Sequence, residues 1–433
     1  MSHSAPVSHA PAAITRSEWA LIFVLTAIQF THMVDFVIIM PLGKRLCEEL
    51  AINTVQFGYI VAAYAWAAGI ASLLASFVLD RLDRKIVLLV LYAGFTASTF
   101  CCGLAENYQQ MLLARILAGI FGGLSAVTIM AVIGDIFPHE KRGRASGAVM
   151  SAFAIASIAG LPIGLALCDK YGLGSPFIAL AGASALVWVV ALVRLPNVNE
   201  HLRHARPHPL REFAEVVRVP NHLWAFAFSF FLVLGTFTVG SFCGPVYASM
   251  NGWSEGSLAI VYLFAGLLTL CSMNVVGRYA DRVPRLPLFR ALAFGATVMA
   301  IVVTTLPPGP LWMGTLALSA FMGMAAGRMV PAQAMLLGAA QAKYRGAFMS
   351  LNTAVQHLAT GLAPVIAGTL VVEDAEGKLS GFPLVGLVGA GTAIVSLILA
   401  GQLKTAPHVT PVQPALKEVE MDEEEIESGP LAV

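Results

Sequence analysis

The chain has 433 residues, 58% of them hydrophobic and only 12% charged, with a mean hydropathy of +0.77. A soluble domain carries about 25% charged residues, so most of this chain must face lipid rather than water. Its net charge of +1 gives no bulk attraction to nucleic acid, and its six cysteines, adjacent at Cys101-Cys102 and otherwise scattered, without a Cys-x-x-Cys pair, point to packing rather than to disulfides or metal.

Residues 1–16 are small and polar, with no basic cluster ahead of a short apolar core. The first apolar run therefore reads as a retained span, not a cleaved signal. Twelve runs long enough to cross a bilayer follow, at about 19–42, 55–79, 86–105, 111–135, 145–168, 176–195, 222–248, 256–277, 287–307, 311–336, 347–372 and 382–402. They are continuous rather than alternating, which predicts helices and not barrel strands. The expected fold class is an all-α membrane protein with a six-span unit over 17–195 and another over 222–402. The stretch 196–221 joins them. Its His201, His204 and His208 are irregularly spaced, which suits a solvated linker better than a metal site. From 403 to 433 the chain turns acidic, with Asp422, Glu423, Glu424 and Glu425, and reads as a disordered tail.

Orientation follows from charge. Of the 26 Lys and Arg, 20 fall in the N-terminal segment, the even-numbered connections and the C-terminal tail. Only Lys44, Arg45, Lys170 and Lys378 lie in the odd-numbered connections. The positive-inside rule places both termini in the cytoplasm. The halves also repeat: Asp80-Arg81 with Arg84-Lys85 is echoed by Asp281-Arg282 with Arg285, and Arg144 by Arg345. Charged turns repeated at half-chain spacing point to a transporter built from two similar halves.

Polar residues inside the spans are few. His32 and Asp35 stand three apart on one face of the first span. Arg115 lies in the fourth span and Arg328 in the tenth, where a guanidinium costs at least about 2.5–3.5 kcal/mol and so must face a partner or a cavity. Asp35 and Arg115 lie at similar depths, about 10 and 7 Å from the outer ends of their spans at 1.5 Å per residue. That spacing suits a carboxylate whose proton affinity the guanidinium adjusts, with His32 as relay, or else a fixed structural pair. Candidates for contact with cargo are Arg328, Asn352, Gln356 and His357, and the aromatic residues Tyr64, Trp66, Phe237 and Tyr262. Met322, Met324, Met329 and Met335 fall on several faces of the tenth span, which favours packing over a copper site.

The motifs resemble those of the major facilitator superfamily, in particular its twelve-span drug:proton antiporter branch and the bacterial sugar-efflux or arabinose-efflux-like permeases. The superfamily's first motif, Gly-x-x-x-Asp-Arg-x-Gly-Arg-Lys, falls on Ser76 to Lys85: Asp80, Arg81, Arg84 and Lys85 match, while Ser76 and Asp83 replace the glycines. The second copy keeps Gly277, Asp281, Arg282 and Arg285 but has Pro284 at the second glycine. The resemblance implies that these turns, with Asp135 at the end of the fourth span, form a cytoplasmic gate. The Arg-x-x-x-Gly motif of the fourth span falls on Arg115 and Gly119, and implies an arginine that influences proton release. An antiporter-type kink falls on Gly160, Pro162 and Gly164 in the fifth span.

The resemblance further implies two pseudo-symmetric six-helix bundles in a bacterial inner membrane. They would work as a monomer, alternating access to a central cavity and exporting a drug, sugar or metabolite against protons. The expected partners are that cargo, protons and the lipid bilayer. No nucleotide-binding loop Gly-x-x-x-x-Gly-Lys-Ser/Thr occurs, so no cofactor is expected and an ion gradient supplies the energy. Proton-coupled uptake and a non-transporting sensor or assembly protein of the same fold remain as alternatives. An enzyme is the weakest reading, because no nucleophile–base or metal constellation is present.

Overall fold

The computed structural model describes residues 14–78, 82–198, 209–280, 282–374 and 378–405. Asp80, Arg81, Asp281, the three linker histidines and the acidic tail therefore lie outside the described residues. Twelve long helical stretches run in the order expected. Span 1 is Arg16–Ile38, span 2 Thr54–Val78, span 3 Arg84–Gly103, span 4 Tyr108–Ile136 and span 6 Ser175–Arg194. Spans 7 to 12 are Pro220–Asn251, Glu255–Ala280, Arg285–Thr305, Leu311–Ala339, Arg345–Leu370 and Phe382–Ala400. Span 5 is composite, with helices His139–Met150, Ala152–Ile155 and Leu161–Tyr171 separated before the last by a π turn at Ala156–Gly160.

Eleven of these stretches are long and apolar enough to cross a membrane. Span 11, with 26 residues, has the length but a more polar composition, since it carries Asn352, Gln356 and His357. Polar residues at helical spacing lower its mean hydropathy without shortening it, so the twelve-helix architecture stands. Local chemistry sets several starts. Thr15 and Glu18 form a capping box ahead of span 1. Asn107 caps span 4 through its side chain. Span 7 needs no such cap, because Pro220 opens its first turn with no amide proton to satisfy.

Three local features were not anticipated. Span 1 ends at Ile38 rather than near 42, and a short helix, Gly43–Glu49, follows it. Pro209–Val217 is helical within the connection between spans 6 and 7, burying Val216. A two-residue hairpin pairs Val372 with Ser380 and Glu373 with Leu379 between spans 11 and 12.

The packing is uneven along the helix axes. Near the ends that carry most of the Lys and Arg, here called the basic face, each half has its own apolar cluster. One holds Leu21, Leu88, Tyr92, Phe137 and Ala145 from spans 1, 3, 4 and 5. The other holds Phe226, Phe289, Leu336, Phe348 and Ala400 from spans 7, 9, 10, 11 and 12. Toward the opposite face the halves share a single cluster, in which Ile38, Leu42 and Phe57 pack with Phe242, Val246 and Tyr262. Span 2 lies along span 11, and span 5 along span 8, so these two seams join the halves.

Candidate functional site

Asp35 and Arg115 are fully buried and bonded: Arg115 Nη1 donates to Asp35 Oδ2 at 2.8 Å and to the Asp35 carbonyl at 3.2 Å. The hydroxyl of Thr99, from span 3, donates to Asp35 Oδ1 at 3.3 Å. The guanidinium carbon of Arg115 stands 4.4 Å above the Tyr64 ring, a cation–π contact that also covers the pair from water. Gly119 makes that contact reachable. A Cβ at this position would overlap the Tyr64 carbonyl, so only glycine lets span 4 close onto span 2 here. The Arg-x-x-x-Gly spacing thus has a physical reason: the arginine and the glycine one turn later address the same residue.

His32 lies on the same face of span 1 as Asp35 and is buried with both ring nitrogens unpartnered. Its ring centroid is 5.8 Å from that of Tyr64 and 5.7 Å from that of Phe95. The Tyr64 hydroxyl and Gln29 Oε1 also lack partners. Buried polar atoms are normally hydrogen-bonded, so this cluster of orphans on spans 1 and 2, with Nε and Nη2 of Arg115 beside it, makes the region a candidate site.

The second half presents its own polar group. Arg328 of span 10 is buried, and its Nη2 donates to Thr236 Oγ1 at 2.6 Å and to the Leu232 carbonyl at 3.4 Å. Its Nε has no partner. On the same face of span 7, Ser229 Oγ accepts from Gln356 Nε2 at 3.0 Å. Asn352, one turn before Gln356, is buried with Oδ1 unpartnered. His357 lies at the seam with span 2, where a Cβ on Gly69 would come within 2.8 Å of its own Cβ.

The aromatic candidates separate into different places. Tyr64, Phe36 and Phe237 form a chain across the halves, with ring centroids 5.5 and 5.9 Å apart. Trp66 sits in the span 2–span 11 seam and its Nε1 donates to the Leu358 carbonyl at 3.3 Å. Tyr262 belongs to the shared apolar cluster at the far face. An apolar groove of about 900 Å³ opens between spans 2, 3 and 4, lined by Tyr59, Ile70, Leu91, Leu112 and Ile120 among others. Ile70 is 63% exposed there. The groove carries no titratable group apart from two tyrosines and suits an acyl chain, so the polar cluster rather than this larger space is the candidate site.

Among the described residues, several bonds join the halves near the far face. Thr54 Oγ1 donates to the carbonyls of Gly368 at 3.0 Å and Val371 at 2.8 Å. Arg45 of the short helix reaches Glu255 at the start of span 8, 3.6 Å away, while its Nε donates to Glu49 at 2.6 Å. That bond raises the Arg45 pKa above its ordinary value. In the fifth span the π turn, which ends two residues before Pro162, brings Ser157 against Gly266 of span 8. Proline lacks the amide that would continue the regular ladder, which accounts for the widened turn beside Gly160, Pro162 and Gly164.

At the basic face the first charged turn is paired. Arg84 is buried, and its Nε lies 3.3 Å from Asp135 Oδ2. Asp83, which stands where the motif has glycine, caps span 3 by accepting from the amide of Lys85 at 2.8 Å. The second turn is arranged differently: Arg282 is exposed, and Arg285 Nη1 donates to the Ala334 carbonyl of span 10 at 3.3 Å. Sequence reasoning missed Thr99, Thr236 and Ser229, small hydroxyl residues in apolar runs whose only signal was their helical spacing.

The Major Facilitator Superfamily profile matches residues 25–331. Among curated proteins the chain is similar to the uncharacterized MFS-type transporter YceJ of Bacillus subtilis, 25% identical over 83% of this chain and 92% of that one. It is also 24% identical to the uncharacterized MFS-type transporter YwfA of the same organism, over 88% of this chain and 91% of that one. Among solved structures it resembles the nucleoside transporter NupG, with TM-score 0.71 and 14% identity over 88% of this chain and 98% of that one. The inward-open xylose transporter XylE from E. coli gives TM-score 0.70 and 15% identity over 90% of this chain and 98% of that one. A match across more than half the chain, relatives spanned almost end to end and a shared twelve-helix fold lead to one conclusion: the chain is a membrane transporter of the major facilitator superfamily.

Proposed function

We propose that the protein is a proton antiporter that exports a small organic molecule across a bacterial inner membrane by alternating access, working as a monomer. Asp35 is the proton carrier. Among the described residues it is the one buried carboxylate, and it is bonded to Arg115. That single arrangement carries the reading. A carboxylate buried within a span is costly unless it is protonated or paired. Exchange of the Arg115 guanidinium for a proton is therefore a natural two-state switch. His32, one turn away and without hydrogen-bond partners, passes the proton on. Arg115 would draw Asp35 back into the ion pair when the proton leaves.

The basic face is taken as cytoplasmic from the charge bias. With the halves joined at the other face and clustered separately at this one, the molecule is then inward-facing. Asp80, Arg81, Arg84, Lys85 and Asp135, with Asp281, Arg282 and Arg285, form the gate that closes when the halves rock. The kink at Gly160, Pro162 and Gly164 forms part of the seam about which they move. Arg328, Asn352, Gln356, His357, Tyr64 and Phe237 contact cargo, whereas Trp66, in the seam between spans 2 and 11, and Tyr262, in the shared apolar cluster, stand apart from it.

Inverted vesicles carrying Asp35→Asn test the assignment. Downhill cargo exchange should persist while accumulation driven by an imposed pH gradient is lost. Full pH-driven accumulation in that variant would overturn the coupling role. Loss of both activities with poor folding would reduce the pair to a structural one.

A further inference from the structure

Among the described residues, Arg328 is the one buried cation of the second half, and no counter-charge faces it. Spans 7 to 12 contain no Asp or Glu except Glu255, at the far end of span 8. Arg328 is 2% exposed, and its guanidinium bonds to a hydroxyl and a carbonyl and leaves Nε open. Thr236 has nothing further to offer, because its hydroxyl already donates to the Leu232 carbonyl at 2.9 Å while accepting from Arg328. A neutral acceptor satisfies one N–H bond but leaves the charge itself uncompensated in a low-dielectric interior.

The repeat makes the missing charge specific. Position 236 lies 201 residues after position 35, the offset that also separates Asp80 from Asp281 and Arg144 from Arg345. In the first half, the residue at this place is the aspartate that neutralises the arginine of span 4. In the second half, it is a threonine beneath the arginine of span 10. The two arginines are not themselves repeat-equivalent, standing 213 residues apart, but one half neutralises its buried guanidinium with a carboxylate and the other leaves it as a single positive charge.

We infer that the cargo is a small organic monoanion, a carboxylate, whose charge occupies the place opposite Arg328 that an aspartate would fill in a neutral half. The inference rests on the export reading for its physiological setting but not for the binding itself. The guanidinium keeps Nε free to donate to one oxygen of a carboxylate, its Nη2 being taken by Thr236 and the Leu232 carbonyl. One fixed cation balances one negative charge, whereas a dianionic phosphate ester would leave a charge uncompensated. Asn352 and Gln356, on span 11, provide neutral polar atoms for the rest of the molecule, and Phe237, in the turn after Leu232, provides an apolar wall.

Two measurements test this separately from the transport cycle. With the purified full chain in detergent, benzoate should raise the melting temperature more than benzamide at equal concentration, since the two differ only in the charged group. Arg328→Gln should weaken benzoate binding about tenfold or more, the usual worth of a hydrogen bond to a charged group. Thr236→Asp, which supplies the missing carboxylate in place, should do the same while keeping Arg328 paired and the fold intact. Equal stabilisation by benzoate and benzamide, or benzoate binding unchanged in Thr236→Asp, would overturn the inference.

In inverted vesicles given a small-molecule cell extract and a pH gradient, mass spectrometry should find that the compounds accumulated by the wild-type chain over empty vesicles carry a net negative charge. Accumulation of neutral or cationic compounds would also overturn it. Absence of any accumulation by the wild-type chain, with benzoate still discriminated from benzamide, would instead overturn export and leave the anion site standing.

Discussion

The two halves of this protein share a fold but resolve their buried arginines by opposite means. In the first half Arg115 meets Asp35 at 2.8 Å, and Thr99 and Tyr64 complete the enclosure. In the second, Arg328 meets Thr236 at 2.6 Å and a carbonyl. The charged turns at the basic face differ in the same direction: Arg84 pairs with Asp135, whereas Arg285 bonds to the Ala334 carbonyl. Among the described residues, in both places the first half places a carboxylate where the second has a neutral oxygen. A buried ion pair holds its partners together but can be exchanged for a proton. On the proposed reading, a buried cation with neutral partners accepts an anion from outside, and the asymmetry divides the labour of an exchanger between halves of common design.

The largest effect expected from breaking this contrast is on stability. Asp35→Ala leaves Arg115 as an unpaired buried charge and should cost about 3–5 kcal/mol. Thr236→Ala removes one hydroxyl from a guanidinium that already lacks a counter-ion, and should cost about 1.5–3 kcal/mol. Chemical unfolding of the two purified variants checks the order, and equal losses would mean that the carboxylate is not what distinguishes the halves.

A charge relocation sharpens the comparison. Combining Asp35→Thr with Thr236→Asp keeps the composition and moves the carboxylate between halves. Proton-driven accumulation should fall to the level of empty vesicles, while the chain continues to enter the membrane. Retained coupling in the double variant would show that the half in which the carboxylate sits is immaterial.

The gate turns should show a smaller contrast. Asp135→Asn removes the partner of a buried arginine and should shift the balance between open and closed basic faces by about 1 kcal/mol, roughly fivefold in population. Arg285→Gln, at a carbonyl contact, should shift it less. Distances between spin labels on the basic ends of spans 2 and 11, measured by double electron–electron resonance, report both. At the far face, Arg45→Gln loosens a partly exposed link to Glu255 and should change the same distances by the equivalent of a few tenths of a kcal/mol, vanishing at high salt. A shift larger than that of Asp135→Asn would make the far face the dominant latch.

Much of the site was legible in the sequence because lipid enforces accounting. An arginine at Arg115 or Arg328 has to be answered by something, and Asp35 was the carboxylate at a matching depth. The hydroxyl partners were not legible. Thr99, Ser229 and Thr236 are tolerated in any membrane helix, since their own hydroxyls can bond back to the preceding turn, as Thr236 does to Leu232. Nor did Asp83, standing where the motif has glycine, announce that it caps span 3. Trp66 and Tyr262 resembled cavity aromatics in a one-dimensional reading. Packing assigns one to the seam between spans 2 and 11 and the other to the shared apolar cluster.

The sequence by itself determined that the chain crosses a membrane as helices, how many times, and that it does so in two repeated halves. Hydropathy over a span is a sum along the chain, and repeated charged turns are read directly from it. What only the tertiary structure decided is which face of each helix meets which neighbour. Whether Arg115 finds a carboxylate 80 residues away, whether Tyr64 lies beneath it, and at which end the halves are joined depend on helix rotation and crossing. Those are set by side-chain packing across spans, of which close approaches such as Gly119 against Tyr64 are the visible cause.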